Sequence, residues 1–221
     1  IYFNSEKAFD LPGLNNQEKE FIFAVPEKYL KVPILDLKAK VQAASIQDKS
    51  PVGQTGTNSP SFIYAKSGGK DSGWVQAIRV DGVDYAANFD GYSVVVLGAS
   101  SGKVRNFKRF NISEDVDQNR ELYNFLSDLS HYFEDDLAPI VIITLKTDGF
   151  ANADEELLSN AFKSIGGSGE TPRLNESFIL IGVAGAAQGK ATELMGYDLL
   201  EYEIGSRSMV NHKLLQVTEV F

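Results

Sequence analysis

Three short, unbroken apolar runs constrain this chain most: YSVVVL at 92–97, PIVIITL at 139–145 and SFILIGV at 177–183. Each is rich in β-branched residues, bounded by turn-forming residues, and far below the roughly 18 residues of a membrane-spanning helix. Each therefore predicts a buried strand. They sit within a glycine-punctuated stretch, Ile78 to Gly185, that also carries two helical patterns and offers no obvious reaction centre.

The first helical pattern starts with Ser113 as a candidate N-cap and runs to about Leu129, with Val116, Leu122, Phe125, Leu126 and Leu129 on one stripe. The second covers about 153–165. Asp154, Glu155 and Glu156 favour the positive end of its dipole, and Gly166-Gly167 gives the stop. Strands are also predicted at 61–66, 74–80 and 104–110, the last closing a hairpin through Ser101-Gly102.

Upstream, Phe21, Phe23 and Val25, and then Leu35, Leu37, Ala39 and Val41, alternate with period 2, which predicts half-buried strands. Residues 45–60 carry almost no large apolar side chains and read as a linker or long loop. The expected organisation is a strand segment over 1–44, a linker over 45–60 and a main domain over 61–195. C-terminal strands over 196–221 are expected to pair with 17–43. Strand patterns together with two helical patterns make the expected fold class α+β, with extra N- and C-terminal strands.

Composition excludes several functions. With 221 residues, 43% hydrophobic and 23% charged, plus 14 Phe and 9 Tyr, the chain has ample core. A formal charge of −9 argues against nucleic acid, because phosphate backbones need clustered cations. The longest basic cluster, Lys103, Arg105, Lys108 and Arg109, reads as a solvated face. The absence of cysteine removes disulfides, thiolate metal sites and cysteine nucleophiles. The chain begins at Ile1 with no signal-like region, so it is expected to be a piece of a longer protein.

Motif inspection finds no catalytic centre and no cofactor. Gly166, Gly167 and Gly169 follow a helix rather than a strand, so they place no helix N-terminus at a phosphate. GVAGAAQGKAT at 182–192 lacks the phosphate-loop spacing and the hydroxyl after its lysine. His131 and His212 have no serine elbow nearby. Asp135-Asp136 and Glu155-Glu156 read as solvated charges. Asp81, Asp84 and Asp90 place hard oxygen ligands in one region without matching a known loop motif. Aromatics in or beside turns, Tyr85, Phe89, Tyr92, Trp74 and Phe150, suit sugar rings when exposed and otherwise plug the ends of the fold.

The ordered series IRVDG, DGYSVVVLGASSGKV, FKRFNIS, LYNFLSDL, APIVIITLKTDG, LLSNAFKSIGG and SFILIGVAG resembles the interleukin-like EMT inducer domain, or GG domain. That domain occurs in small secreted cytokine-like proteins, in the stem of a protein-O-mannose N-acetylglucosaminyltransferase and in cell-surface hyaluronan-processing proteins. The resemblance covers about residues 61–195. It equates Gly91, Gly102, Phe110, Gly166, Gly182 and Gly185 with the family's structural positions. It implies mainly antiparallel, β-sandwich-like sheets flanked by two α-helices, in a non-catalytic module that recognises glycans or protein partners.

The chain departs from the family where an Arg-Asp-Ser/Thr-Trp segment precedes the last strand, for here stand Asn175, Glu176, Ser177 and Phe178. Thr147, followed by Asp148, stands where glycan-binding members have aspartate. The expected ligand surface is thus Thr147, Asp148, Asn175 and Glu176, with Tyr85 and Phe89. Two readings stay open. One is a carbohydrate-binding domain, extracellular or at a cell surface. The other is a structural or interaction domain of a larger assembly, such as a virion tail or fibre component or a bacterial surface protein, with self-association. A secreted signalling protein comes third.

Overall fold

In a computed structural model the described residues are 50–86, 89–146 and 152–205, with two-residue strand pieces near the N-terminus. The chain divides into two compact units, Ile1–Ile46 with Arg207–Phe221, and Gln47–Ser206. In the first, β1 (Tyr2–Phe3) pairs antiparallel with β2 (Glu6–Lys7) and with β3 (Leu37–Lys38). The alternating Phe21, Phe23 and Val25 lie outside the described residues.

The second unit opens with a small ladder of β4 (Ser50–Pro51) and β5 (Asn58–Ser59). It continues through β6 (Ile63–Ser67), β7 (Gln76–Val80), β8 (Val83–Asp84), β9 (Gly91–Leu97) and β10 (Val104–Phe110). Then come α1 (Asp117–Ser127), β11 (Ile140–Lys146), α2 (Glu155–Lys163), β12 (Ser177–Val183), β13 (Thr192–Gly196) and β14 (Leu200–Ile204). The strands form a five-stranded sheet in the order β10-β9-β11-β12-β13 and a four-stranded sheet in the order β14-β6-β7-β8. Every pairing is antiparallel. The described fold is broadly α+β, as expected.

Antiparallel strands with one wet face alternate apolar and polar residues. β9, β11 and β12 instead bury both faces, which explains their unbroken apolar runs. Val94, Val96, Val141, Ile143, Phe178 and Leu180 share one core cluster with Leu122, Leu126, Leu158 and Phe162 of the two helices. From the opposite face, Val95, Leu97, Ile140, Ile142, Ile179 and Ile181 share a second cluster with Ile63, Ala65, Ile78 and Val80 of the four-stranded sheet.

Close approach fixes some glycines. A Cβ at Gly182 would run into the Ile165 carbonyl oxygen at the end of α2, and one at Gly91 would meet that of Phe110. Gly166 takes a left-handed φ of 88°. Its N–H donates to Lys163 O at 3.0 Å while Gly167 N–H donates to Phe162 O at 2.9 Å, the Schellman closure of α2.

Three expectations shift. The first helix starts at Asp117, because Ser113 Oγ donates to Asn111 Oδ1 at 2.6 Å and a run of turns precedes the helix. Val116 is 61% exposed rather than part of the apolar stripe. Residues 47–60 belong to the second unit, with Val52 fully buried, instead of forming a linker. β14 pairs with β6, from Leu200↔Ser67 to Ile204↔Ile63, and most of 17–43, its expected partner, lies outside the described residues.

Candidate functional site

The richest surface lies where β12 begins, β13 ends and α2 starts. Asp154 builds one wall by accepting a hydrogen bond from Leu157 N at 3.0 Å, capping α2 so that Glu155 and Glu156 occupy its first turn. The segment leading from α2 to β12 forms the other wall. Glu176 folds back to accept from Arg173 N at 2.7 Å, and Asn175 takes a left-handed φ of 66° to turn into β12. Ser177 Oγ accepts from Gly69 N at 2.7 Å and donates to Asp198 O at 2.7 Å, tying this corner to both neighbouring segments.

These walls enclose an open groove of about 1240 Å³. Glu155, Glu156, Glu170 and Glu176 line it, with Arg173 as the single cation among the described residues. Met195, Leu174 and Tyr197 supply apolar surface, the last two 53% and 52% exposed. A half-exposed ring beside carboxylates and a guanidinium offers a stacking face together with hydrogen-bond acceptors and donors. Four carboxylates against one cation make the groove unfavourable for anions.

Of the expected ligand residues, Glu176 lines this groove and Asn175 adjoins it; Thr147 and Asp148 lie outside the described residues, as does Phe150. Tyr85 and Phe89 belong elsewhere. Tyr85 packs on Phe107 of β10 with centroids 6.3 Å apart, and the Arg109 guanidinium lies 5.3 Å from the Phe89 ring. β10 and β12 are three strands apart in the sheet, roughly 14 Å at ordinary strand spacing. The expected surface therefore divides into two regions.

Other candidates resolve into separate structural uses. Asp81 accepts from Phe62 N at 2.9 Å, Asp84 pairs with Arg79 at 3.4 Å, and Asp90 pairs with Lys146 at 2.9 Å. Among the described residues no group of three metal-ligating side chains converges. Asp135 and Asp136 form a tight turn with positive φ, and Asp135 accepts from Ser100 Oγ at 2.7 Å. His131 sits on the surface beside Asp128, and His212 lies outside the described residues.

Sequence reasoning missed Tyr197, Leu174, Glu170 and Arg173. The available signal was a lone aromatic in the polar stretch MGYD, directly after a strand and too isolated to serve the core. On the outer face of the four-stranded sheet, Tyr64 OH donates to Glu201 Oε1 at 2.6 Å, and Lys66 Nζ lies 3.0 Å from the same oxygen. Burial first, and then Glu201, pushes the Tyr64 phenol up to about 12. The Tyr64 hydrogen bond and then Lys66 hold the Glu201 carboxyl below its usual range. Among the described residues no helix is long and apolar enough to cross a membrane. No protein-family model matches this chain, and no curated protein matches it.

Proposed function

We propose that this chain is a non-catalytic recognition domain that binds carbohydrate through the groove between α2 and β13. The observation that carries the reading is the half-exposed Tyr197 ring set among four glutamates and Arg173. Sugar rings present a C–H face for an aromatic platform and hydroxyls for carboxylates, and the excess of glutamate favours neutral over acidic glycans. On this reading the two sheets, with their shared buried cluster, layer as a sandwich that holds the groove walls rigid. The domain works outside the cell, at a cell surface or on a virion, and belongs with the GG-like modules it resembles.

Calorimetric titration against a panel of neutral and acidic glycans tests this. Neutral oligosaccharides are expected to bind, and Tyr197→Ala to weaken them roughly five- to tenfold, the worth of a ring contact of about 1 kcal/mol. Absence of binding across the panel would end the proposal. Among the described residues the β10 border of the five-stranded sheet has one partner strand, β9, which favours a second reading, an interaction domain within a larger assembly.

A further inference from the structure

Among the described residues β10 forms one border of the five-stranded sheet and pairs with β9 alone. Alternate residues along it therefore turn their backbone N–H and C=O groups away from β9. Among the described residues none of those outward groups meets another backbone group. The register shifts between Val104 and Asn106, so Arg105 sits in a bulge and Asn106–Phe110 is the regular stretch.

The side chains of this border are organised and exposed. Phe107 is 46% exposed beside Tyr85. Arg109 lies on the same face, its guanidinium 5.5 Å from the Phe107 ring and 5.3 Å from Phe89. Lys108 faces α1 with its Nζ 4.8 Å from the Phe125 ring. Arg105 pairs with Glu134. Cations held sideways on aromatic rings leave the backbone edge open while charging both flanks of the strand.

That charge selects the occupant. A second copy offering its own β10 would bring Lys and Arg against Lys and Arg, and like charges directly opposite destabilise a strand pair. A strand carrying carboxylates meets the same edge with attraction on both faces. We propose that β10 accepts an acidic, extended segment of a partner protein by strand addition. The segment carries two adjacent acidic residues opposite Lys108 and Arg109, and an apolar residue opposite Phe107. Main-chain hydrogen bonds supply affinity and the paired charges supply specificity.

The test uses the full chain with two synthetic peptides, Thr-Val-Glu-Glu-Val-Thr and its counterpart with lysines for the glutamates. Binding is followed by fluorescence anisotropy and by amide hydrogen exchange. The acidic peptide is expected to bind, to slow exchange at alternate amides of β10, and to weaken as salt rises. The lysine peptide is expected to bind at least roughly tenfold more weakly. Charge reversal in Lys108→Glu with Arg109→Glu, checked for unchanged urea unfolding, is expected to invert the preference. Equal binding of the two peptides, binding of neither, or protection appearing at β13 or β14 would overturn the proposal. Concentration-dependent dimers that protect the same β10 amides would also overturn it, in favour of a second copy.

Discussion

Replacing Gln76 with leucine probes how the two sheets are held in register. Gln76 is buried on β7, in the four-stranded sheet, and its amide reaches across to the other sheet. Its Nε2 donates to Thr144 O at 2.8 Å and to Gly91 O at 3.1 Å, while its Oε1 accepts from Ser93 Oγ at 3.0 Å. Three hydrogen bonds at about 1 kcal/mol each give about 3 kcal/mol, and an orphaned, buried Ser93 hydroxyl adds about 1 kcal/mol. The apolar gain of leucine returns about 1 kcal/mol, so Gln76→Leu is expected to cost about 3 kcal/mol. Against the ordinary ~5–15 kcal/mol of a domain this is a large fraction. Urea unfolding followed by circular dichroism reads it as a lower midpoint at unchanged slope. Adding Ser93→Ala to Gln76→Leu removes the orphan and is expected to recover about 1 kcal/mol. A loss below about 1 kcal/mol, or no recovery in the double variant, would mean that the Gln76 amide does not hold the two sheets together.

Three further outcomes follow from the packing and the charges. Thr144 Oγ1 is buried with no hydrogen-bond partner among the described residues, so Thr144→Val should leave stability unchanged or raise it by up to about 1 kcal/mol in urea unfolding. Gly182→Ala should cost about 2–3 kcal/mol by the same assay, because the new methyl meets the Ile165 carbonyl oxygen and the backbone must shift. The fold favours the neutral Tyr64 phenol, whose value is raised from 10.0 to about 12, so its contribution is whole below pH 10 and is lost as pH climbs toward 12. Thermal unfolding across that window should therefore fall less steeply with pH in Tyr64→Phe than in the parent.

The interior strands were legible because two covered faces leave no polar alternation in β9, β11 and β12. The end of α2 was legible because a left-handed closure calls for glycine, and Gly166 supplies it. The start of α1 was not, since Ser113 serves as well in a turn as at a cap, and only its bond to Asn111 decides between them. Strand partners were also hidden. LEYEI alternates in a way that fits any sheet border, so nothing local links Leu200–Ile204 to Ile63–Ser67 across that sequence distance. The candidate groove was half visible for a similar reason. Glu176 was reachable through the family resemblance, whereas Tyr197 joins it only because β13 pairs with β12, from Ser177↔Gly196 to Ile181↔Thr192.

The most direct test of the recognition account is chemical-shift mapping of the isotope-labelled chain during titration with neutral oligosaccharides. Saturable shifts are expected at the backbone of Leu174, Glu176 and Tyr197 and at the Tyr197 ring, with the β10 border unmoved. Shifts that centre on another face, or spectra that stay unchanged at millimolar sugar, would contradict that expectation.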